Sequence, residues 1–162
     1  MYQESALQPL EDHKRRGGSF SSSLDLSNCD LPAFDQFEAF RSTYRGVMDV
    51  SMVASDLQSF PARQTVWNLD RLALMRTKLP GIGHAHRQKH LKNCALDHWY
   101  IFLPVRFRSE FDDEYEAEST VPELHCLAAS FEREVRQEGA LTLFVPQDLF
   151  ASAAGLDRKS VV

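Results

Sequence analysis

Short stretches of alternating apolar and polar residues recur from Val50 to Val145, and they constrain this chain more than any other feature. A period of two sends successive side chains to opposite faces of an extended strand. Residues 47–55 carry Val50, Met52 and Ala54 in alternation. Residues 64–68 set Thr65 and Trp67 against Val66, and residues 71–79 set Leu72 and Leu74 against Ala73 and Met75. Residues 98–107 are rich in aromatic and branched side chains, with Pro104 marking an edge or a bulge. A stretch over 125–135 and another over 140–145 complete the series, and Leu141-Thr142-Leu143-Phe144-Val145 reads as a buried strand. Many short strands separated by loops predict a mostly β domain, a barrel or a sandwich.

Two segments depart from this texture. From Pro32 to Arg45, Phe34, Phe37, Phe40 and Tyr44 recur at spacings of three and four, which predicts a helix packed on a sheet through an aromatic stripe. Pro32 suits its start and Gly46 a left-handed stop. A short second helix is expected to begin at Pro146 and end before Gly155. Residues 1–29 read as a disordered N-terminal tail, with the charged run Glu11-Asp12-His13-Lys14-Arg15-Arg16, then Gly17-Gly18 and Ser21-Ser22-Ser23. The folded domain is then expected over residues 30–157. The acidic stretch with Glu110, Asp112, Asp113, Glu114, Glu116 and Glu118 reads as a solvated loop or hairpin tip.

Charge narrows the function. The formal net charge is −5, whereas a domain that grips DNA must neutralise phosphates. Direct DNA binding by this chain is therefore not expected. Cys29, Cys94 and Cys126 are scattered, with no CxxC pair, which fits a reducing cytoplasm. The N-terminal Met-Tyr-Gln-Glu-Ser begins no signal peptide, and no apolar run approaches a membrane span.

Chemistry-bearing motifs are sparse. Neither a nucleophile elbow nor a Gly-rich phosphate loop occurs. The neighbours Asp97 and His98 point to opposite faces of a strand, as do His125 and Cys126, so neither forms a dyad. His84 and His86 would share a strand face within reach of one metal ion, with Glu123 and His125 as further ligands. Arg87, Lys89 and Lys92 would oppose such an ion. The segment reads as a basic, His-rich surface loop, with a metal-dependent enzyme using His84 and His86 as the alternative. No cofactor is expected. Trp67, Trp99 and Tyr100 are the candidate ligand-binding residues, since rings with one polar atom suit the lining of a small-molecule cavity.

Three segments together carry a resemblance. Phe34 to Tyr44 precedes a strand near Val50; Trp67-Asn68-Leu69-Asp70-Arg71-Leu72-Ala73-Leu74-Met75-Arg76-Thr77 precedes Leu96-Asp97-His98-Trp99-Tyr100; and Leu141 to Val145 runs into Pro146-Gln147-Asp148-Leu149-Phe150. In order and spacing, from about Pro32 to Asp157, the chain resembles the N-terminal, AraC-binding-like domain of AraC-type transcription regulators. Gln147 stands where that pattern usually has arginine, and Val121-Pro122-Glu123-Leu124 lacks the usual turn glycine. The resemblance implies a cupin-like jelly-roll β-barrel that senses a small-molecule effector or mediates dimerisation. The family's linker helix and helix-turn-helix motifs would follow after Leu156. Expected partners are an effector, a second copy of the chain, or a full-length regulator in a mixed dimer. A stand-alone small-molecule binding protein is the remaining alternative.

Overall fold

A computed structural model describes residues 23–53, 59–79, 85–90, 97–108, 114–117, 121–136 and 138–155. In chain order the elements are β1 (Ser23–Ser27), α1 (Ala33–Ser42), β2 (Met48–Met52), β3 (Arg63–Leu69), β4 (Leu72–Lys78), β5 (His86–His90) and β6 (His98–Phe107). They continue with β7 (Tyr115–Ala117), β8 (Glu123–Cys126), β9 (Glu132–Val135), β10 (Gly139–Pro146) and α2 (Gln147–Ala153). The fold is mostly β, with two helices, as the alternation requires.

The strands form two antiparallel sheets. The larger runs β1-β3-β4-β10-β6, and β6 carries β7 and β8 along its other side. The smaller runs β2-β5-β9. This is a β-rich, cupin-like architecture, but among the described residues the barrel does not close: no strand ladder joins the two sheets. Side chains fill the space between them. Phe40, Val50, Phe60, Met75, Tyr100, Phe102 and Phe144 form the centre of one buried cluster.

Four sequence expectations need correction. The first concerns the tail. Ser23–Ser27 is a strand paired along the edge of β3, and Asn28 is buried behind it. An edge strand draws its stability from backbone ladder bonds, so a composition poor in apolar residues does not rule it out. Residues 1–22 lie outside the described residues. The second is Phe34, which is 82% exposed. At about 100° per residue, Phe34 lies roughly 120° around the helix from Phe40. The helix turns Gln36 inward instead, and Phe40 and Tyr44 remain buried.

The third correction is the His-rich loop. His86–His90 is β5, the middle strand of the small sheet, with His86 and Gln88 facing inward and buried. Its outward Arg87 forms ion pairs with Glu132 and Glu134 of β9. The fourth is the single strand expected over 125–135. It divides into β8 and β9, because the chain there crosses from one sheet to the other. The two expected helix stops hold, with Gly46 at φ 83° and Gly155 at φ 65°.

Asn28 fastens α1 to the sheet edge. Its amide nitrogen donates to the carbonyls of Gln36 (2.6 Å) and Phe60 (2.8 Å), and its Oδ1 accepts from the N–H of Ala62 (2.5 Å). Gln36 Oε1 in turn accepts from the N–H of Phe60 (2.8 Å). Three backbone groups buried under a helix thus find partners in one side chain. Asn28→Ala takes that partner from the Phe60 carbonyl and the Ala62 N–H and is expected to cost roughly 3 kcal/mol, read as a lower denaturation midpoint with an unchanged m-value.

Candidate functional site

The inward faces of the two sheets carry an unusual share of polar side chains. Gln64, Thr77 and Thr142 project from the large sheet, and His86, Gln88 and Arg133 from the small one; all six are buried. Tyr100, fully buried on β6, links the two sheets by donating its hydroxyl to Gln88 Oε1 at 3.1 Å. Burial pushes the Tyr100 phenol up to about 12, so it keeps its proton and remains a donor. Gln88 Nε2 lies 3.2 Å from His86 Nε2. Gln64 Nε2 donates to the Tyr44 hydroxyl at 3.3 Å. Burial likewise raises the Tyr44 phenol.

These contacts leave little space. A cavity lined by Tyr44, Thr77, His86, Gln88, Phe102 and Thr142 offers about 10 Å³ to the centre of a water molecule. That is room for about one water. An open groove of about 740 Å³ runs between β1 and α1, but Asn28 and Gln64, its buried polar residues, already make the bonds described above.

Chemistry gathers instead where β8 approaches β9. Arg133 of β9 lies inside, its side chain 6% exposed, with the guanidinium carbon 3.6 Å from the centre of the Phe102 ring. Its Nη1 meets Glu123 Oε2 at 2.9 Å, across the gap between the sheets. His125 Nε2 is 3.4 Å from the same carboxylate oxygen. The His125 ring stacks on Phe131 at 4.6 Å, and Phe131 stacks in turn on Tyr100 at 6.1 Å. A buried cation, a half-exposed carboxylate and three stacked rings therefore share one corner of the sandwich.

The residues singled out in the sequence are not brought together. Tyr100 faces the interior. Trp67 faces outward under the Arg76 guanidinium, and Trp99 faces outward against Phe150 of α2 at 4.7 Å. They cannot line one cavity with Tyr100. His84 lies outside the described residues. The ring of His86 is enclosed by Phe40 (5.1 Å) and Phe60 (6.1 Å) and engaged with Gln88. No set of three or more metal-ligating side chains occurs among the described residues.

The outer face of the large sheet bears a continuous apolar row. Trp67, Leu74, Leu143, Ile101 and Leu124 are successive cross-strand partners over β3, β4, β10, β6 and β8. None is fully buried, and Leu124 is 45% exposed. Strands lie about 4.8 Å apart, so the row is roughly 20 Å long. The helix α2 lies at one end of this face.

The chain superposes on the crystal structure of the AraC-like transcriptional activator CuxR with a TM-score of 0.61 and 25% sequence identity. The match covers 83% of this chain and 51% of that one. The chain shares the fold of an AraC-like regulator. It spans about half the length of that activator. No protein-family profile matches the chain, and no curated protein matches it by sequence. Within the AraC-like fold, Gln147 occupies the first turn of α2, where the resembling pattern has arginine. Its amide, oriented to satisfy both groups, donates to the Asp97 carboxylate at 2.6 and 2.9 Å.

Sequence reasoning missed Gln88 and Arg133. A signal for them exists: His86-Arg87-Gln88-Lys89 and Glu132-Arg133-Glu134-Val135 each alternate with period two. Charged or polar residues occupy both phases, so hydropathy does not reveal which phase faces inward.

Two outcomes follow. Tyr100→Phe strands the buried Gln88 Oε1 and is expected to destabilise by about 1–3 kcal/mol, measured by chemical denaturation. Burial holds the His98 imidazole below its ordinary 6.5. The unfolded chain then binds more protons below that pH, so stability falls as pH drops through 6.5 toward the depressed folded value. Melting curves of the wild type against His98→Gln should differ in slope over that range and run parallel above it.

Proposed function

We propose that this chain is the effector-sensing and dimerisation domain of an AraC-type transcription regulator, acting in the cytoplasm and without catalysis of its own. The observation that carries the reading is the fold shared with an AraC-like activator over 83% of the chain. The interior supports a sensing rather than a catalytic role. Its polar groups are bonded to one another across two sheets, so a ligand that rearranges them shifts the sheets relative to each other. The apolar row from Trp67 to Leu124, half-buried except for the exposed Leu124, supports association, because contiguous apolar surface marks interaction sites. Contact with an operator belongs to a separate helix-turn-helix half, consistent with the net charge of −5 here. No helix among the described residues is long and apolar enough to cross a membrane. The partner is a second copy of the chain or the matching domain of a full-length regulator.

Light scattering over a concentration series tests this reading. The wild type is expected to dimerise, and the double variant Ile101→Glu, Leu143→Glu to dissociate by about two orders of magnitude more readily. Circular dichroism verifies that the variant folds. A wild-type chain that stays monomeric at its highest soluble concentration, and that fails to co-purify with a full-length relative, counts against the proposal.

A further inference from the structure

The corner formed by β8 and β9 holds an asymmetric ion pair. Arg133 is clamped: it belongs to a paired strand, its side chain is 6% exposed, and its guanidinium carbon lies 3.6 Å from the centre of the Phe102 ring. Glu123, its carboxylate partner, is 44% exposed. A cation that deep stays charged and needs an anion, because leaving it alone is costly. The carboxylate can rotate into water, where hydration replaces what it loses.

The pairing is also incomplete. Arginine offers five N–H donors in a rigid fork. Among the described residues the buried Nε has no hydrogen-bond partner, and Nη1 meets Glu123 by distance but without hydrogen-bond alignment. The remaining contact, from Nη2 to Glu123 Oε1, is long at 3.5 Å. A well-placed carboxylate would accept two parallel N–H bonds from such a fork. Glu123 reaches Arg133 from the opposite sheet, and its two oxygens meet Nη1 at 2.9 Å and Nη2 at 3.5 Å, an uneven fork.

We infer that Arg133 is the anchor of a binding site for a small organic carboxylate, and that Glu123 is a built-in stand-in which the ligand displaces. The inference deepens the effector-sensing reading and rests on it. The head group takes the place of the Glu123 carboxylate on the Arg133 guanidinium. The half-buried, mutually stacked rings of His125 and Phe131 lie beside this corner and offer aromatic contact to the body of the ligand. The filled interior is no obstacle, since departure of the Glu123 side chain vacates the space that the head requires. Displacement also removes the ion pair that ties β8 to β9, so occupancy changes how the two sheets are held.

Benzoate, its uncharged counterpart benzamide, and acetate serve as probes on the full chain, followed by calorimetry and by thermal shift. Benzoate is expected to bind and to raise the melting temperature, acetate to bind more weakly, and benzamide not to bind. Glu123→Gln keeps the shape and removes the competing charge, so it should bind benzoate at least about tenfold more tightly than the wild type. Arg133→Gln should lose benzoate binding; should that variant fail to fold, the Glu123→Gln comparison decides alone. Equal benzoate affinity in wild type and Glu123→Gln overturns the inference, as does benzoate binding retained by a folded Arg133→Gln. A neutral metabolite that binds wild type and Arg133→Gln equally overturns it too, while leaving the effector-sensing reading intact. A chain that binds no probe and stays monomeric overturns both.

Discussion

The two sheets share no backbone ladder among the described residues and are joined there by side chains, and the rest of the fold follows from how that is done. Aromatic packing supplies most of the attraction: Phe40 of α1 lies against Phe60, Tyr44 and His86, and Phe144 meets Tyr100 edge-on. Apolar contact is not directional, so by itself it would tolerate sliding of one sheet over the other. The Tyr100–Gln88 hydrogen bond and the Arg133–Glu123 ion pair remove that freedom. Each connects a defined residue of the large sheet to a defined residue of the small one.

A polar interior is stable only when its members satisfy one another. Here the buried glutamines do much of that. An amide both donates and accepts, so Gln88 links Tyr100 to His86, and Gln36 links α1 to the backbone of Phe60. Asn28 plays the same part at the opposite edge, where α1 meets β1 and the segment leading into β3. The core therefore has two closures of different kinds. The Asn28 closure is neutral and complete. The Arg133 closure is charged, partly open to water and short of hydrogen bonds. Of the two, the second is suited to respond to a small molecule.

The likeness to an AraC-like activator is carried by architecture more than by side chains, given 25% identity. Gln147 illustrates how a local substitution fits. It faces the Asp97 carboxylate, and Arg71 grips Asp148 in the next position of the same helix turn at 2.7 and 2.8 Å. That contact holds the Asp148 carboxyl below its usual range. The first turn of α2 is thus fixed at both sides, and an amide serves where the resembling pattern has a guanidinium.

From the sequence alone, the mostly β class, the strands β2, β3, β4, β6 and β10, and both helices were legible. Their inward phase is mostly apolar, as at Ala73, Met75, Tyr100, Phe102 and Phe144, and burial of that apolar majority is favoured whatever the partners are. The strand β1 escaped because its stability comes from the edge of β3. The strand β5 escaped because its inward residues, His86 and Gln88, are polar. A buried glutamine is acceptable only when a tyrosine from a distant strand arrives to bond it, and no local pattern announces that arrival. The candidate site is of the same kind: Glu123 and Arg133 become a pair only because the chain crosses between sheets in the residues that separate them. Hydropathy is local and could be read; mutual satisfaction of buried polar groups is a property of the assembled sheets.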